Sequence, residues 1–446
     1  MVKKRIVSVL LCASMLLSYG INASAYNGAD ITVKEDNVYD TGIASETDAG
    51  EDANGNVDSD EQISEVQSLD GQLADNQSQD GQNDAFEIPD DYHGHREIEI
   101  DLGDEEDCDS NEISLLQASS YPSRYDSRDY KCLTSIKNQN QWGSCWAFAT
   151  LGAGESSMLK QGYASLSDEP NYSEYQLAYF FYHEKQDPLH NIDNDRNTIK
   201  TGENFLDFGG NITLASLALA GWVGAVDEKE TGYPSSYEMD DLSNDLAFNG
   251  DIAHLQNAYM VSSAKDYSGK IKQLIMDYGA VASGFYFDTA NCATLANGDF
   301  TYNYQGSSLA NHAIMIVGWD DNYPKENFVS PASTPSSNGA WLVRNSWGNT
   351  YPYIWVSYED IRLSAHSAVA CVFEPADNYD YNYQYDGTYG IDYIKFANPV
   401  IANVYTAAGA DVESIEAVSF ALNSSNVNYS IQIYVNPTDT TYPTSG

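Results

Sequence analysis

The sequence predicts an α+β body, with an acidic disordered arm ahead of it and a partial all-β sandwich behind it. Three observations carry that expectation. A helix-compatible run (Trp146, Ala147, Phe148, Ala149, Leu151) follows directly on Cys145, and a second occupies residues 215–222. Further along, residues 311–319 and 341–343 are apolar runs that read as strands. Beyond Pro375, residues 417–421 and 429–435 alternate apolar, β-branched or aromatic residues with polar ones, the pattern of half-buried strands.

At the start of the chain, Lys3, Lys4 and Arg5 precede an apolar run over residues 6–17, and Ala23, Ser24 and Ala25 supply a small-residue cleavage site. Residues 1–25 therefore read as a secretory signal peptide. The apolar run is too short to cross a bilayer, and no later stretch reaches about 18 apolar residues, so no membrane span is expected. The mature protein is expected to be secreted or extracellular, with cell-surface association compatible.

Residues 26–120 hold 28 Asp or Glu against 2 Lys or Arg, a net charge of −26 within the chain's −45. Such a segment has too little apolar area to offset the entropy of ordering it, so it reads as a disordered acidic arm or propeptide. The acidity belongs largely to this arm and argues against nucleic acid as a partner. Within it, residues 113–116 (Ile-Ser-Leu-Leu) are apolar enough to lie in a cleft and mask a site until cleavage.

The stretch that organises the body is residues 137–149, Lys-Asn-Gln-Asn-Gln-Trp-Gly-Ser-Cys-Trp-Ala-Phe-Ala. A cysteine in the first turn of a helix faces unpaired N–H groups and the positive end of the helix dipole, which favours thiolate over thiol. With a partner histidine, such effects lower a cysteine pKa from about 8.5 to roughly 3.5, or ~7 kcal/mol toward the anion. An isolated cysteine is more often a small buried hydrophobe. The neighbours of Cys145 decide against that here.

Gly143, Ser144, Cys145 and Trp146, with Gln139 six residues upstream of the thiol, resemble the nucleophile signature of the papain-like cysteine peptidases (C1 family). The first cysteine of that signature is replaced by Trp142; it normally forms a disulfide in the family, so the resemblance implies that packing holds this loop instead. Residues 311–319 look like the strand bearing the family's catalytic imidazole, His312, and Asn345-Ser346-Trp347-Gly348 looks like the asparagine that orients it. The order Cys, His, Asn is the family's, although 167 residues separate Cys145 from His312 where the family has about 130 to 150. A surface loop over residues 325–339, rich in Pro, Ser and Asn, accounts for part of the extra length.

The resemblance implies a two-lobed fold, one lobe helical and the other β-barrel-like, over residues 121–375. Residues 121–128 resemble the family's mature N-terminal entry, and residues 369–373 mark the end of the module. It further implies a thioester mechanism with Cys145, His312, Asn345 and Gln139 as catalytic residues, Trp347 shielding the His312–Asn345 bond, and a peptide or protein substrate. Gly209 and Gly210 look like the glycine pair beside the family's cleft, and Val281, with Ala313, resembles the wall of its main specificity pocket.

Weaker features fill in the rest. Residues 193–197 (Asp-Asn-Asp-Arg-Asn) echo a calcium loop but lack its glycine and distal glutamate, and no His-Glu-x-x-His or nucleotide loop occurs, so neither a metal nor another cofactor is expected. Cys132, Cys145, Cys292 and Cys371 lie in the body, Cys12 in the signal and Cys108 in the arm. With Cys145 excluded, the body can form at most one disulfide, which in an exported protein suits a bacterial or anaerobic source. Residues 376–446 resemble the start of the lectin-like β domains that follow papain-like modules in some surface proteins of Gram-positive gut bacteria, and a glycan partner is compatible with its tyrosines. The competing class is an adhesion or glycan-binding protein with a vestigial peptidase module; the presence of all four catalytic side chains favours the enzyme.

Overall fold

The computed structural model describes residues 32–34, 121–235, 241–261, 267–328, 334–363, 366–385, 387, 403–408, 413–419 and 432–434. The expected signal peptide (residues 1–25), residues 113–116 and nearly all of the acidic arm lie outside them. Within the arm, β1 (Thr32–Lys34) is a short strand that pairs in parallel with Gln432–Tyr434 near the end of the chain. That pair belongs to a small unit of its own.

In the body, β2 (Arg124–Asp126) leads into α1 (Cys145–Gln161), α2 (Glu174–Tyr182), α3 (Ile212–Ala220) and the short α4 (Asp245–Phe248). Then follow β3 (Ala253–Val261), α5 (Tyr267–Tyr278), β4 (Val281–Phe285), β5 (Cys292–Thr294), β6 (Phe300–Tyr302) and β7 (His312–Asp320). The chain continues through β8 (Ala340–Arg344), β9 (Tyr353–Ser357) and β10 (Ala368–Pro375), and the last strand is β11 (Gln432–Tyr434). Four helices thus precede nearly all the strands of the body, the segregation expected of an α+β fold.

The central element is α1. Fourteen of its seventeen residues are buried, so it has no solvent face and behaves as a core helix packed on several sides. Ala, Leu and Met favour the helix, and the small residues let neighbours come close. A Cβ on Gly154 would lie 2.7 Å from the Phe373 ring of β10, which explains why the helix tolerates a glycine there. Gly162, with φ 79°, ends the helix in the left-handed conformation that glycine adopts without strain.

The sheet runs β3-β10-β4-β7-β8-β9-β6-β5, with β2 added against β7, and only β6 and β9 pair in parallel. It is open, with β3 and β5 at its two edges, and does not close into a barrel. Residues 312–319 and 341–343 lie in strands β7 and β8 and are buried, so the expected first strand begins one residue later than 311. The 215–222 helix starts three residues earlier than expected, because the Asn211 side chain caps it by accepting from Leu214 N–H at 3.1 Å.

Residues 121–128 are held to the body by β2 and by Trp319, whose indole N–H donates to Pro122 O at 2.9 Å and whose ring stacks on Tyr125. The 325–339 loop, where described, is not wholly at the surface: it contains a 3-10 turn over Lys325–Asn327, and Phe328 is buried against Tyr323. After β10 the chain stays on the body, where Asn382 Nδ2 donates to Ala220 O at 2.9 Å and Tyr383 is buried. Residues 417–419 carry no strand, and the remainder of that expected strand lies outside the described residues.

Candidate active site

Cys145 is the first residue of α1 and is fully buried. Ser144 stands at the N-cap, but its hydroxyl makes no capping hydrogen bond, so the N–H groups of the first turn and the positive end of the dipole are turned toward the thiol. The Ala313 N–H donates to Cys145 Sγ at 3.2 Å. The residue after the candidate imidazole therefore touches the candidate nucleophile.

His312 opens β7, and Asn345 follows directly on the end of β8. Because the two strands are antiparallel, with Met315 opposite Arg344, the start of one lies beside the end of the other. Nε2 of His312 lies 2.7 Å from Oδ1 of Asn345. The same oxygen accepts the Ser346 backbone N–H at 2.8 Å, which identifies it as the acceptor and assigns the proton to Nε2. In the neutral ring Nδ1 then carries the lone pair. Trp347 stacks on the imidazole, with ring centroids 4.3 Å apart and planes 19° apart, and Phe287 packs edge-on against Trp347. Water is thereby kept from the His312–Asn345 bond. Burial pushes His312 down to about 4, opposed by the Asn345 hydrogen bond. Burial thus favours the neutral imidazole, and an imidazolium here needs a neighbouring negative charge as a counterweight.

Gln139 is fully buried and held at both ends of its amide. Ser346 Oγ donates to Oε1 at 2.6 Å, and Nε2 donates to Trp142 O at 2.6 Å. The backbones on either side are joined as well: Gln139 N–H donates to Ser346 O at 2.8 Å and Gly348 N–H to Lys137 O at 3.0 Å. The segments 137–139 and 346–348 thus run side by side and bring Gln139 to the Cys145 and Asn345 motifs. Ser346 was legible only as part of a turn-like Asn-Ser pair; its role with Gln139 depends on this pairing.

Trp142, where a disulfide cysteine would stand, is fully buried, and its indole N–H donates to Pro234 O at 3.1 Å. Cys132, Cys145, Cys292 and Cys371 are all free thiols. Packing and hydrogen bonds therefore hold this loop. Beneath the site, Lys137 Nζ bonds to Glu155 at 2.7 Å and to Glu174 at 2.8 Å, both carboxylates being almost completely buried. This cluster went unread in the sequence, where its members are spread over residues 137–174.

The expected substrate-binding residues divide. Gly209 and Gly210 immediately precede the Asn211 cap of α3, and Gly209 O accepts the Tyr182 hydroxyl at 2.6 Å. A Cβ on Gly210 would fall 2.3 to 2.5 Å from atoms of the Trp146 ring, so glycine is required there for packing against the residue after the thiol. Val281 and Ala313 are not brought together. Val281 is fully buried opposite Ile316, whereas Gly284 is the residue opposite Ala313, three pairs or about 10 Å along the strand. The strand register, invisible in the sequence, makes this correction.

In the 193–197 loop, Asp195 pairs with buried Lys185 at 3.0 Å and Asp193 with His190 at 2.8 Å. Among the described residues no helix is long and apolar enough to cross a membrane.

Residues 121–178 and 208–371 match the model of the papain family of cysteine proteases. A viral cathepsin of Bombyx mori nuclear polyhedrosis virus is 28% identical over 233 residues, covering 52% of this chain and 57% of that protein. Human cathepsin O is 25% identical over 235 residues, covering 52% of this chain and 59% of that protein. The chain thus spans less than two thirds of these relatives. Among solved structures, the clostridial cysteine protease Cwp84 after propeptide cleavage aligns with a TM-score of 0.46 at 26% identity, over 57% of this chain and 59% of that one.

Proposed function

We propose that the body of this chain, which belongs to the papain family of cysteine proteases over residues 121–178 and 208–371, acts as an exported endopeptidase that cleaves extended polypeptides through a thioester intermediate. The observation that carries this reading is one constellation: Sγ of Cys145 at a helix N-terminus, held by Ala313 N–H, with the neighbouring His312 hydrogen-bonded to Asn345 at 2.7 Å. Export is supported by the signal-like residues 1–25, and a masking role for residues 113–116 by their position just ahead of the domain.

In the reaction, Cys145 Sγ as thiolate attacks the carbonyl carbon of the scissile bond. The tetrahedral oxyanion is held by the Cys145 backbone N–H and by a Gln139 Nε2 hydrogen. As the C–N bond breaks, the leaving amine takes a proton from His312, and the acyl group remains on sulfur. Water then attacks the thioester, His312 takes its proton, and the C–S bond breaks to release the carboxylic acid and restore the thiolate–imidazolium pair. Asn345 keeps the imidazole in the tautomer this exchange needs, with Nε2–H bound and Nδ1 available to the sulfur side.

The test is hydrolysis of a denatured protein substrate, with and without an epoxysuccinyl thiol probe, by the chain and its Cys145→Ala variant. Loss of both turnover and labelling in the variant is expected. Full hydrolysis by Cys145→Ala would overturn the assignment.

A further inference from the structure

The hydroxyl of Ser144 has two possible uses, and in this fold it is committed to one of them. At an N-cap, a serine side chain ordinarily accepts from the second or third N–H of its helix; here that leaves Trp146, because the Ala147 N–H already donates to Ser144 O at 2.9 Å. Ser144 makes no such bond; its Oγ instead shares a hydrogen bond with the hydroxyl of Tyr233. Tyr233 is fixed for this purpose from several sides. Its ring packs edge-on against Phe148, one turn into α1, with centroids 4.9 Å apart. Just before it, Thr231 O accepts from Ser173 Oγ at 2.8 Å; just after it, Pro234 O accepts from Trp142 Nε1 at 3.1 Å and from Asn140 Nδ2 at 3.3 Å. The loop carrying Tyr233 is therefore tied to the N-cap of α2 on one side and to the segment before Cys145 on the other. Burial holds the phenol well above its ordinary pKa, so it remains a neutral hydroxyl.

Resting on the assignment of Cys145 as nucleophile, we propose that Tyr233 is a positioning residue that withholds the Ser144 hydroxyl from the Trp146 N–H of α1, leaving that first-turn dipole without a side-chain cap so that it stabilises the Cys145 thiolate. A captured serine oxygen would satisfy an N–H of the first turn and place a partial negative charge beside the sulfur, weakening the field that favours the anion. The titratable groups that act on Tyr233 are Glu174 on α2, Asp207, whose carboxylate accepts the Gly143 N–H, and Cys145 itself; His312 precedes Ala313, whose N–H donates to Cys145 Sγ. Glu174 and Asp207 interact electrostatically with Tyr233, and the double variant, which lacks the same hydroxyl, controls for any change in them.

The experiment measures iodoacetamide alkylation of the full chain against pH for the parent, Tyr233→Phe and the double variant Tyr233→Phe/Ser144→Ala, with Cys145→Ala as the blank. The phenylalanine keeps the ring contact with Phe148, and a cooperative thermal transition verifies folding. Tyr233→Phe is expected to move the acidic limb of the alkylation profile upward, lowering the rate on that limb by about three- to tenfold, with kcat falling and KM little changed. In the double variant the oxygen that would cap is gone, and the parental limb should return. An unshifted limb in Tyr233→Phe, or a shift that persists in the double variant, overturns the proposal. Rapid alkylation persisting in Cys145→Ala would instead sink the nucleophile assignment.

Discussion

Ser346 Oγ donates to Gln139 Oε1 at 2.6 Å across 207 positions of sequence, joining the amide ahead of Cys145 to the segment that carries Asn345. With Oε1 occupied, the amide must turn its Nε2 hydrogens away from Ser346, and one of them goes to Trp142 O. The Gln139 amide is thus held at both ends, the preorganisation that the oxyanion role proposed for it requires.

Gln139→Ala should lower kcat about a hundredfold, roughly 3 kcal/mol, with a smaller effect on KM, because the donor it removes acts mainly on the transition state. Ser346→Ala should lower kcat by less, about three- to tenfold, since the amide remains but loses one anchor. Steady-state kinetics on one peptide substrate checks both, and a larger loss for Ser346→Ala than for Gln139→Ala would contradict the assigned roles.

Asn345→Ala leaves the His312 Nε2–H buried under Trp347 without its acceptor. An unpaired buried donor costs about 1 to 3 kcal/mol, so kcat should fall roughly five- to a hundredfold. Burial and the Asn345 bond act in opposite directions on the imidazole, and deleting the bond leaves burial alone. The pH at which the imidazole gains its proton, followed by NMR of the ring, should therefore drop further; an upward move would be inconsistent with this balance.

Gly210→Ala should destabilise the domain by about 1 to 3 kcal/mol, because the new methyl would meet the Trp146 ring and force it or the loop to shift. Denaturant unfolding measures it. An unchanged midpoint would show that the loop relaxes freely and that Trp146 does not fix it.

Glu174 is pushed up to about 7, chiefly by burial, against the pull of Lys137. For an acid whose folded value lies above its ordinary one, folding favours the protonated form. Its stabilising contribution is fully present below the ordinary value of 4.5 and is lost as pH rises toward 7. The thermal midpoint of the parent should therefore fall more between pH 5 and about 7.5 than that of Glu174→Gln, which has no proton to lose. Parallel curves for the two proteins would exclude Glu174 as the source of the slope.

Much of the candidate site was legible because the residues proposed for its chemistry are concentrated in short motifs. Cys145, His312, Asn345 and Gln139, the residues proposed for catalysis, each sit in a stretch whose residue types have few other uses together, and α1, β7 and β8 fall where apolar runs place them. The parts that escaped depend on distance rather than on order. Ser346 and Tyr233 look like turn residues, and Lys137, Glu155 and Glu174 like unrelated charges, until the chain folds.

By itself, the sequence determined which side chains could do the chemistry and where the helix and strands carrying them begin, because helix dipoles, caps and apolar periodicity act over a few neighbouring residues. Only the tertiary structure decided that Gly284 and not Val281 faces Ala313, that the sheet stays open, and that Tyr233 and Pro234 hold the loop where a disulfide is absent. Strand register and loop docking are set by cross-strand pairing and packing between residues far apart in the chain, and a one-residue slip that leaves the local pattern almost unchanged would alter every partner.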